Sequence, residues 1–324
     1  MSASQILYLS AADVAEVGLT MAEIIAALEA MFVEKGEGRV EMPPKPGIHT
    51  RPNAFIHAMP AYVPTQEAAG MKWVSGYPDN RKVGLPYISG LFILNDADSG
   101  VPLSVMDATW ITAMRTGAAT AVAAKRLARS DSRSVGIIAC GVQGRTNLEA
   151  LNCVFKLERV CAYDIELGAA KRFASETRDR YGLVVEVVSH PREAVRELDL
   201  VVTSGPILKS PQPAIEAGWL VPGAFGCALD FDSYWSGAAL AEAEKLATDD
   251  AAQMEYYRQA GYFQTTPRPY ADLGQIVVGA SPGRESDEER VICVNLGLAL
   301  EDVVCARLIY DRAVSGGIGT RLPL

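Results

Sequence analysis

A glycine-containing turn is the first feature of this sequence with recognisable chemistry. It carries the pattern A-x-G-x-x-G at Ala139, Gly141 and Gly144, after an apolar strand-like run and before a helical one. Gly141 would let the backbone approach a pyrophosphate, Gly144 would allow close packing of strand and helix, and the helix N-terminus would offer N–H donors. The loop residues Val142 and Gln143 are predicted to share this contact. The usual first glycine is an alanine here, and many such turns bind nothing, so the turn alone leaves a purely structural role open.

An acidic residue supplies a second signal for the same site. Asp164 ends the strand-like run RVCAYD, 20 residues beyond Gly144. A carboxylate at this distance can bond both ribose hydroxyls and disfavours a 2′-phosphate. The alternative is an aspartate that caps the following helix. Strand, loop and acid together predict dinucleotide binding, with NAD(H) favoured over NADP(H). Thr203 and Ser204 follow the strand DLVV and are predicted to face the same crevice, an ordinary loop being the alternative.

The order of the elements indicates what positions these residues. From Ser134 onward, apolar strands alternate with amphipathic helices, which predicts a parallel sheet with helices on both faces. From Val40 to about Val105, short strand-like runs are broken by Pro, Gly, Asn and Asp, which is typical of an antiparallel or mixed sheet. A long alanine-rich helix after Asp107 connects the two regions. We therefore predict an α/β protein with a Rossmann domain and a second domain.

Composition limits the class of protein. A chain of 324 residues is long enough for two domains. Its net charge of −9 disfavours nucleic acid and anionic membranes as partners, and no run of ~18 apolar residues predicts a membrane span. The N-terminal segment has no basic start followed by an apolar stretch, so we expect no secretory signal. Six cysteines without a C-x-x-C pair indicate reduced core thiols and a cytoplasmic protein, and the three histidines lack metal-ligand spacing, so no metal is expected.

Several longer segments resemble the ornithine cyclodeaminase/mu-crystallin family. They follow the family order from about Met42 to the C-terminus and include GMKWVSGYPDN, MRTGAATAVAAKRLAR, VGIIACGVQG, ADLGQIVVGASPGRES and VNLGLALEDVVCARLIYDRA. The resemblance implies a Rossmann domain, residues 119–293, inserted into a discontinuous α+β substrate and dimerisation domain, residues 1–118 plus 294–324. It also implies a homodimer, for which the N-terminal strands are the predicted surface.

The resemblance assigns roles to three charged residues. Lys72 matches the family's substrate-binding and catalytic lysine, the alternative being a surface lysine on an edge strand. Arg115 matches an arginine that reaches the substrate carboxylate and the cofactor, for which its planar fork is suited, the alternative being a surface salt bridge. Asp232 matches the catalytic aspartate, which would hold the amine and move a proton, with Asp230 as the rival. We predict that all three side chains face one cleft between the domains.

Other positions depart from the family pattern or carry weaker assignments. Lys45 stands where many members carry a carboxylate-binding arginine. His57 stands where cyclodeaminases place a glutamate near the substrate amine, the alternative being a half-buried strand histidine bonded to backbone. The run Gly-Ala-Asp-x-Pro-Gly-Lys, common in the family, is absent around Asp232. The resemblance also places Tyr87 beside the nicotinamide and Thr116 near the cofactor phosphate.

These residues predict an NAD(H)-dependent oxidoreductase that transfers a hydride at the α-carbon of an amino acid or cyclic imino acid. Cyclodeamination, oxidative deamination and imine reduction share this hydride step, and the substrate and the direction stay open. The changes around His57 and Asp232 favour a reductase or dehydrogenase over an ornithine cyclodeaminase. A non-catalytic NAD(P)H-binding protein like mu-crystallin is a further alternative, and a Rossmann methyltransferase is the least favoured.

Overall fold

The computed structural model describes residues 5–52 and 54–324, apart from the side chain of Arg81. The first four residues, part of the segment in which no secretory signal was expected, lie outside the described residues. The chain divides into two compact units: unit 1, Met1–Arg115 with Leu298–Leu324, and unit 2, Thr116–Gly297. These divisions lie three and four residues from the predicted boundaries. The first falls inside a continuous helix, whose periodicity carries no mark of a domain boundary.

Unit 1 is a seven-stranded mixed sheet with helices packed on it. Its elements are β1 (Gln5–Leu9), α1 (Ala11–Glu16), α2 (Met21–Gly36), β2 (Gly47–Ile48), β3 (Phe55–Val63), β4 (Ala68–Gly76), β5 (Ile88–Asn95), β6 (Pro102–Asp107), the first part of α3 (Thr109–Leu127), α9 (Ala299–Gly316) and β15 (Thr320–Pro323). The strand order is β15-β1-β6-β5-β4-β3-β2. The closing helix α9 packs on β3, β4 and α2, within unit 1.

The two faces of this sheet have different surroundings. The strand register places Met59 of β3, Lys72 of β4 and Phe92 of β5 side by side, and all three are buried. Because side chains alternate along a strand, Trp73 and Leu91 point to the opposite face. There they are 44% and 46% exposed. Lys72 is therefore on the covered face of the sheet, with the apolar core.

Unit 2 is a doubly wound sheet of eight parallel strands. It contains β7 (Ser134–Ile138), α4 (Val142–Val154), β8 (Arg159–Tyr163), α5 (Leu167–Tyr181), β9 (Val185–Val187), β10 (Leu200–Thr203), β11 (Phe225–Ala228), α6 (Gly237–Ala241), β12 (Lys245–Thr248), α7 (Ala251–Gln259), β13 (Ala271–Asp272), α8 (Leu273–Val277) and β14 (Val291–Val294). The order is β13-β12-β14-β11-β10-β7-β8-β9. The chain reverses its direction of winding between β7 and β10, which is where such sheets bind ligands.

Two parts of unit 2 differ from the sequence prediction. The helix predicted over PREAVREL is wrong: the segment forms a single 3₁₀ turn, Pro191–Ala194, capped by His190, because the chain must return to β10 at Leu200. The strands β12 and β13, together with α6 to α8, were not predicted. Their segments are only two to nine residues long, so neither periodicity is sustained.

Two further features bear on the protein class. Within residues 5–52 and 54–324, no helix is both long and apolar enough to cross a membrane. All six cysteines belong to the described residues and are free thiols, and only Cys153 is exposed.

Candidate active site

Lys72 is a buried cation with a carboxylate partner. The alternative of a surface lysine on an edge strand is wrong, because β4 lies between β3 and β5 and the residue is 1% exposed. Its Nζ atom lies 2.7 Å from Oδ2 of Asp302 and donates to Oγ1 of Thr112 at 3.3 Å. Burial lowers the pKa of Lys72 to about 8, although the charge of Asp302 opposes this shift. An ammonium so close to losing its proton near neutral pH is suited to proton transfer as well as to carboxylate binding.

Arg115 is also buried and lies against two carboxylates. Its Nε donates to Oδ1 of Asp302 at 3.1 Å, and its Nη1 donates to Oε2 of Glu301 at 2.7 Å. The alternative of a surface salt bridge is wrong, because Arg115 is 7% exposed and both carboxylates are fully buried. Two adjacent side chains thereby fix the plane of the guanidinium, which is the geometry that directional recognition of a carboxylate needs.

Glu301 and Asp302 are the functional candidates that sequence reasoning missed. They lie in the first turn of α9, where acidic side chains are favoured by the helix dipole. The sequence does contain a signal, since two adjacent acids interrupt the apolar run LGLALEDVVCA. Buried carboxylates without partners are costly, so such a pair predicts buried cations elsewhere in the chain. We call Lys72, Arg115, Glu301 and Asp302 the buried ion cluster.

Lys45 and His57 are two further predicted site residues of unit 1, and Lys72 influences the charge state of His57. Lys45 is 8% exposed, and His57 is a half-buried residue of β3 whose ring stacks on Phe55 with centroids 4.4 Å apart. Burial, together with the charges of Lys45, His49 and Lys72, lowers the pKa of His57 to about 4. His57 is therefore neutral at physiological pH. Within unit 1, Lys45, His57 and Lys72 give surroundings suited to an anion.

The glycine turn has the shape that its spacing predicts. Ala139 has a φ of 72°, a left-handed conformation that favours glycine, so the departure from the usual pattern carries strain. A Cβ at Gly144 would lie 2.6 Å from the carbonyl oxygen of Ala139, so strand and helix approach closely there. A Cβ at Gly141 would meet no atom within 4 Å, and Val142 beside it is 63% exposed. No described side chain caps α4, and the first N–H groups of a helix lack partners within it, so a pyrophosphate could bond them at this turn.

Asp164 is held by the backbone on both sides. Its Oδ2 accepts from the N–H of Cys140 at 2.8 Å, and its Oδ1 accepts from the N–H of Glu166 at 2.9 Å. The second bond closes a turn before α5, but the N-cap residue of that helix is Glu166 and no described side chain caps it, so the capping alternative is wrong. The first bond ties Asp164 to the glycine turn. Each carboxylate oxygen has a second lone pair, so the predicted ribose contact is sterically and chemically compatible with both bonds.

The segment Thr203–Gly205 joins the glycine turn to the loop after β11. The Ser204 hydroxyl donates to the carbonyl of Ala139 at 3.0 Å. Thr203 is fully buried: its hydroxyl donates to Asp230 at 2.8 Å and accepts from Trp235 Nε1 at 2.9 Å. The Thr203 hydroxyl is therefore hydrogen-bonded within unit 2. A cofactor contact stays a prediction for the backbone of Thr203 and for Ser204.

The two candidate aspartates differ in their hydrogen bonding. Asp230 uses both oxygens, accepting from Thr203 and from the N–H of Gly205 at 2.9 Å. Asp232 is 2% exposed, and its Oδ2 accepts from Thr266 at 3.0 Å. Its Oδ1 is buried without a hydrogen-bond partner among the described residues. Burial raises the pKa of both carboxyls, that of Asp230 to about 7. Of these two described aspartates, Asp232 is the one with a carboxylate oxygen that accepts no hydrogen bond, and such an atom in a native fold calls for a ligand or another explanation.

The predicted site residues fall into two groups. Unit 1 contains Lys45, His57, Lys72, Tyr87 and Arg115, and unit 2 contains Thr116, the glycine turn, Asp164, Thr203, Ser204 and Asp232. Tyr87 is half-buried just before β5, and Thr116 is buried in α3. Their cofactor contacts stay predictions, as does the meeting of Lys72, Arg115 and Asp232 in one cleft. In the part of the chain that the structure describes, no cluster of three or more His, Cys, Asp or Glu residues forms a metal site.

Fold and site together define a Rossmann-type α/β protein with a discontinuous second unit. The model of the ornithine cyclodeaminase/mu-crystallin family matches residues 5–317. The nodulation efficiency protein NfeD of Rhizobium meliloti is 37% identical over 320 residues, which cover 97% of each chain. This chain belongs to the ornithine cyclodeaminase/mu-crystallin family, as its segments predicted.

Two solved structures of relatives contain bound small molecules. A Δ1-pyrroline-2-carboxylate reductase of Thermococcus litoralis, solved with NADH and L-proline, is 34% identical and aligns with a TM-score of 0.89, covering 97% of this chain and 99% of that one. An archaeal alanine dehydrogenase, solved as a dimer with bound NAD, is 35% identical with a TM-score of 0.88, covering 98% and 99%. The predicted Rossmann α/β fold is confirmed.

Proposed function

We propose that this protein is an NAD(H)-dependent oxidoreductase that transfers a hydride at the α-carbon of an amino acid or a cyclic imino acid. The observation that carries the proposal is the buried, vacant Oδ1 atom of Asp232. It follows β11 by a few residues, and its neighbour Asp230 bonds the segment that also bonds the glycine turn. A carboxylate beside a dinucleotide crevice is placed to hold an amine or an iminium.

The substrate carboxylate is assigned to the cations of unit 1. Lys72 and Arg115 would bind it, and Lys45 would add charge without the bidentate fork of an arginine. NAD, when bound to the glycine turn and Asp164, supplies the hydride acceptor, and NADH the donor. Asp232 would take the amine proton as the carbon is oxidised, or stabilise the iminium before it is reduced. The proposal also requires that Lys72 and Arg115 of unit 1 lie close to Asp232 and the glycine turn of unit 2.

The surroundings of His57 favour a substrate without a second amine. Ornithine carries a side-chain ammonium that needs a nearby anion, and a neutral histidine between two lysines supplies none. We therefore place this protein with the imine reductases and amino-acid dehydrogenases of its family, such as the two structural relatives described above. Its free thiols agree with a reducing compartment, and we propose the cytoplasm.

One assay panel tests the function. Purified protein is mixed with NAD and a set of L-amino acids including alanine, proline and ornithine, and with NADH and Δ1-pyrroline- or Δ1-piperideine-2-carboxylate, while the nicotinamide absorbance is followed. Turnover with an imine or a mono-amino acid supports the proposal. Ammonia and proline formed from ornithine would make it a cyclodeaminase instead. NADH binding without turnover on any substrate would leave only the binding-protein alternative.

Asp164 should set the preference between the two dinucleotides. Asp164→Asn keeps the shape of the side chain and one of its two backbone hydrogen bonds, and it removes the charge that repels a 2′-phosphate. Two charges about 4 Å apart interact by roughly 1–4 kcal/mol between water and a protein surface. We expect the ratio of kcat/KM for NADH over NADPH to fall by about one to two orders of magnitude. Glu166→Gln, an exposed acid two residues further on, is the matched control and should leave the ratio unchanged. A wild-type preference for NADPH would refute the assignment.

The exposed sheet face of unit 1 is the proposed dimer surface. A groove of about 380 Å³ lies on it, lined by Ile56, Trp73, Ser75, Ser89, Gly90, Leu91 and Asp107. A central interface tryptophan often contributes about 2 kcal/mol or more, so Trp73→Arg should weaken dimerisation by roughly 30-fold or more. Sedimentation velocity at graded concentrations measures this. Tyr256→Arg, at an exposed residue of unit 2, is the control. A wild-type monomer at micromolar concentration would end the dimer proposal.

A further inference from the structure

We propose that Asp302 is a positioning residue of the reaction, whose carboxylate bridges Lys72 and Arg115 and holds both cations ready for the substrate. This rests on the proposed function for its catalytic consequence. The bridge itself is a property of unit 1 and is tested without substrate.

The geometry assigns one oxygen of Asp302 to each cation. Oδ2 lies 2.7 Å from Nζ of Lys72, and Oδ1 accepts from Nε of Arg115 at 3.1 Å. Glu301, the preceding residue, binds Nη1 of the same guanidinium at 2.7 Å. Asp302 thus contacts both cations directly, and its loss would affect both.

The fold fixes Asp302 in this place. It lies in the first turn of α9, which packs on β3 and β4, and it is fully buried. A side chain on a helix buried in this way has little freedom to follow a moving partner. The carboxylate therefore sets the position of the lysine and arginine head groups, which extend from β4 and α3 on longer, more flexible stems.

Asp302 also affects the pKa of Lys72, which depends on all the charges around the lysine. Three elements place titratable or charged groups near Lys72. Helix α9 contributes Glu301, Asp302 and the thiol of Cys305, and α3 contributes Arg115. Strand β3 contributes His57, which is itself influenced by His49 and Lys45. Burial and Arg115 lower the pKa of Lys72, whereas Asp302 and Glu301 raise it. Removal of the Asp302 charge therefore lowers the pKa of Lys72, so the lysine holds its proton less tightly.

The experiment is a lysine titration in Asp302→Asn, a change that keeps the shape and removes the charge. The protein is labelled with 13C at the lysine Cε, and the Lys72 resonance is identified from its absence in Lys72→Met. An opposite charge at this distance shifts a pKa by about 1 to 3, so the Lys72 midpoint should fall by that amount. No substrate or cofactor is present. A midpoint that stays at the wild-type value in folded Asp302→Asn would overturn the proposal.

Two control variants separate the bridge from general effects. Glu301→Gln removes the neighbouring charge, which contacts Arg115, and should shift the Lys72 midpoint less. Asp311→Asn lies on the exposed side of the same helix and should shift nothing. If Asp302→Asn fails to fold, the cause on this proposal is an uncompensated buried Lys72. Adding Lys72→Met should then restore folding, and failure to do so would count against the bridge.

Catalysis supplies the second readout. If Lys72 acts as an ammonium, the alkaline limb of the kcat/KM profile should move to lower pH in Asp302→Asn by the same amount as the titration midpoint. A shifted titration with no turnover in the wild type would leave the bridge intact and refute the proposed function. If the Lys72 titration shifts but the alkaline limb of the kcat/KM profile does not move, Asp302 does not act as a positioning residue of the reaction.

Discussion

Asp232→Asn should lower turnover by about 10²- to 10⁴-fold, the usual effect of losing an acid or base group. The variant keeps a partner for Thr266 but replaces the carboxylate whose Oδ1 is vacant and buried. An amide cannot take a proton from an amine or offset the charge of an iminium. Steady-state kinetics with the best substrate of the assay panel measures the loss, and NADH binding by fluorescence should be nearly unchanged.

Asp230→Asn is the matched control for this prediction. Asp230 accepts two hydrogen bonds from the segment Thr203–Gly205, so its loss should disturb that segment and lower thermal stability. Its effect should appear mainly in the KM for the dinucleotide. If Asp232→Asn retains near-normal turnover while Asp230→Asn abolishes it, the reacting carboxyl is Asp230 and the vacant oxygen of Asp232 has another cause.

Lys72→Met should have an effect of similar size, about 10²- to 10⁴-fold on kcat/KM. The change removes the buried ammonium while a flexible apolar chain fills its place. Substrates that carry a carboxylate should lose affinity as well, because hydrogen bonds to charged groups contribute about 1.5–3 kcal/mol. Lys82→Met, at an exposed lysine of the same unit, is the control. Normal turnover in Lys72→Met would exclude this lysine from the reaction.

Stability against pH gives an independent measure of Lys72. Its pKa is about 8 in the folded protein and near 10.5 in the unfolded chain. Between these values the unfolded state binds more protons than the folded state. The free energy of unfolding therefore increases, and the folded protein becomes more stable, as pH rises from about 8 to about 10.5. Urea unfolding of the wild type and Lys72→Met across this range should show the rise in the wild type alone.

Local patterns predicted the glycine turn and most strands because their causes are local. The turn requires small residues at fixed spacing, and the strands of unit 2 are buried on both faces, which makes them continuous apolar runs. The long helix α3 and the closing helix α9 were predicted for the same reason. The boundary inside α3 was not marked, since a helix that continues through it keeps one periodicity.

The partners of the site residues could not be predicted in this way. Lys72 was recognisable as unusual because it lies in an apolar strand, yet nothing near it in the sequence identifies Asp302. The same holds for Thr203, whose hydroxyl is buried between Asp230 and Trp235. These contacts depend on how strands and helices distant in sequence pack together. The choice between Asp230 and Asp232 likewise depended on which oxygens the fold leaves vacant.

The split of unit 1 across both ends of the chain has a consequence for synthesis on the ribosome. The strands β3 to β5 are made early, but α9, which covers their apolar face, follows only after the whole of unit 2. At ~5–20 residues per second, the roughly 200 residues between them take on the order of 10–40 s. During this time unit 2, which is continuous, can fold, whereas the sheet of unit 1 has neither its covering helix nor β15 beside β1. The nascent chain thus presents the apolar face of this sheet to chaperones until α9 and β15 are made.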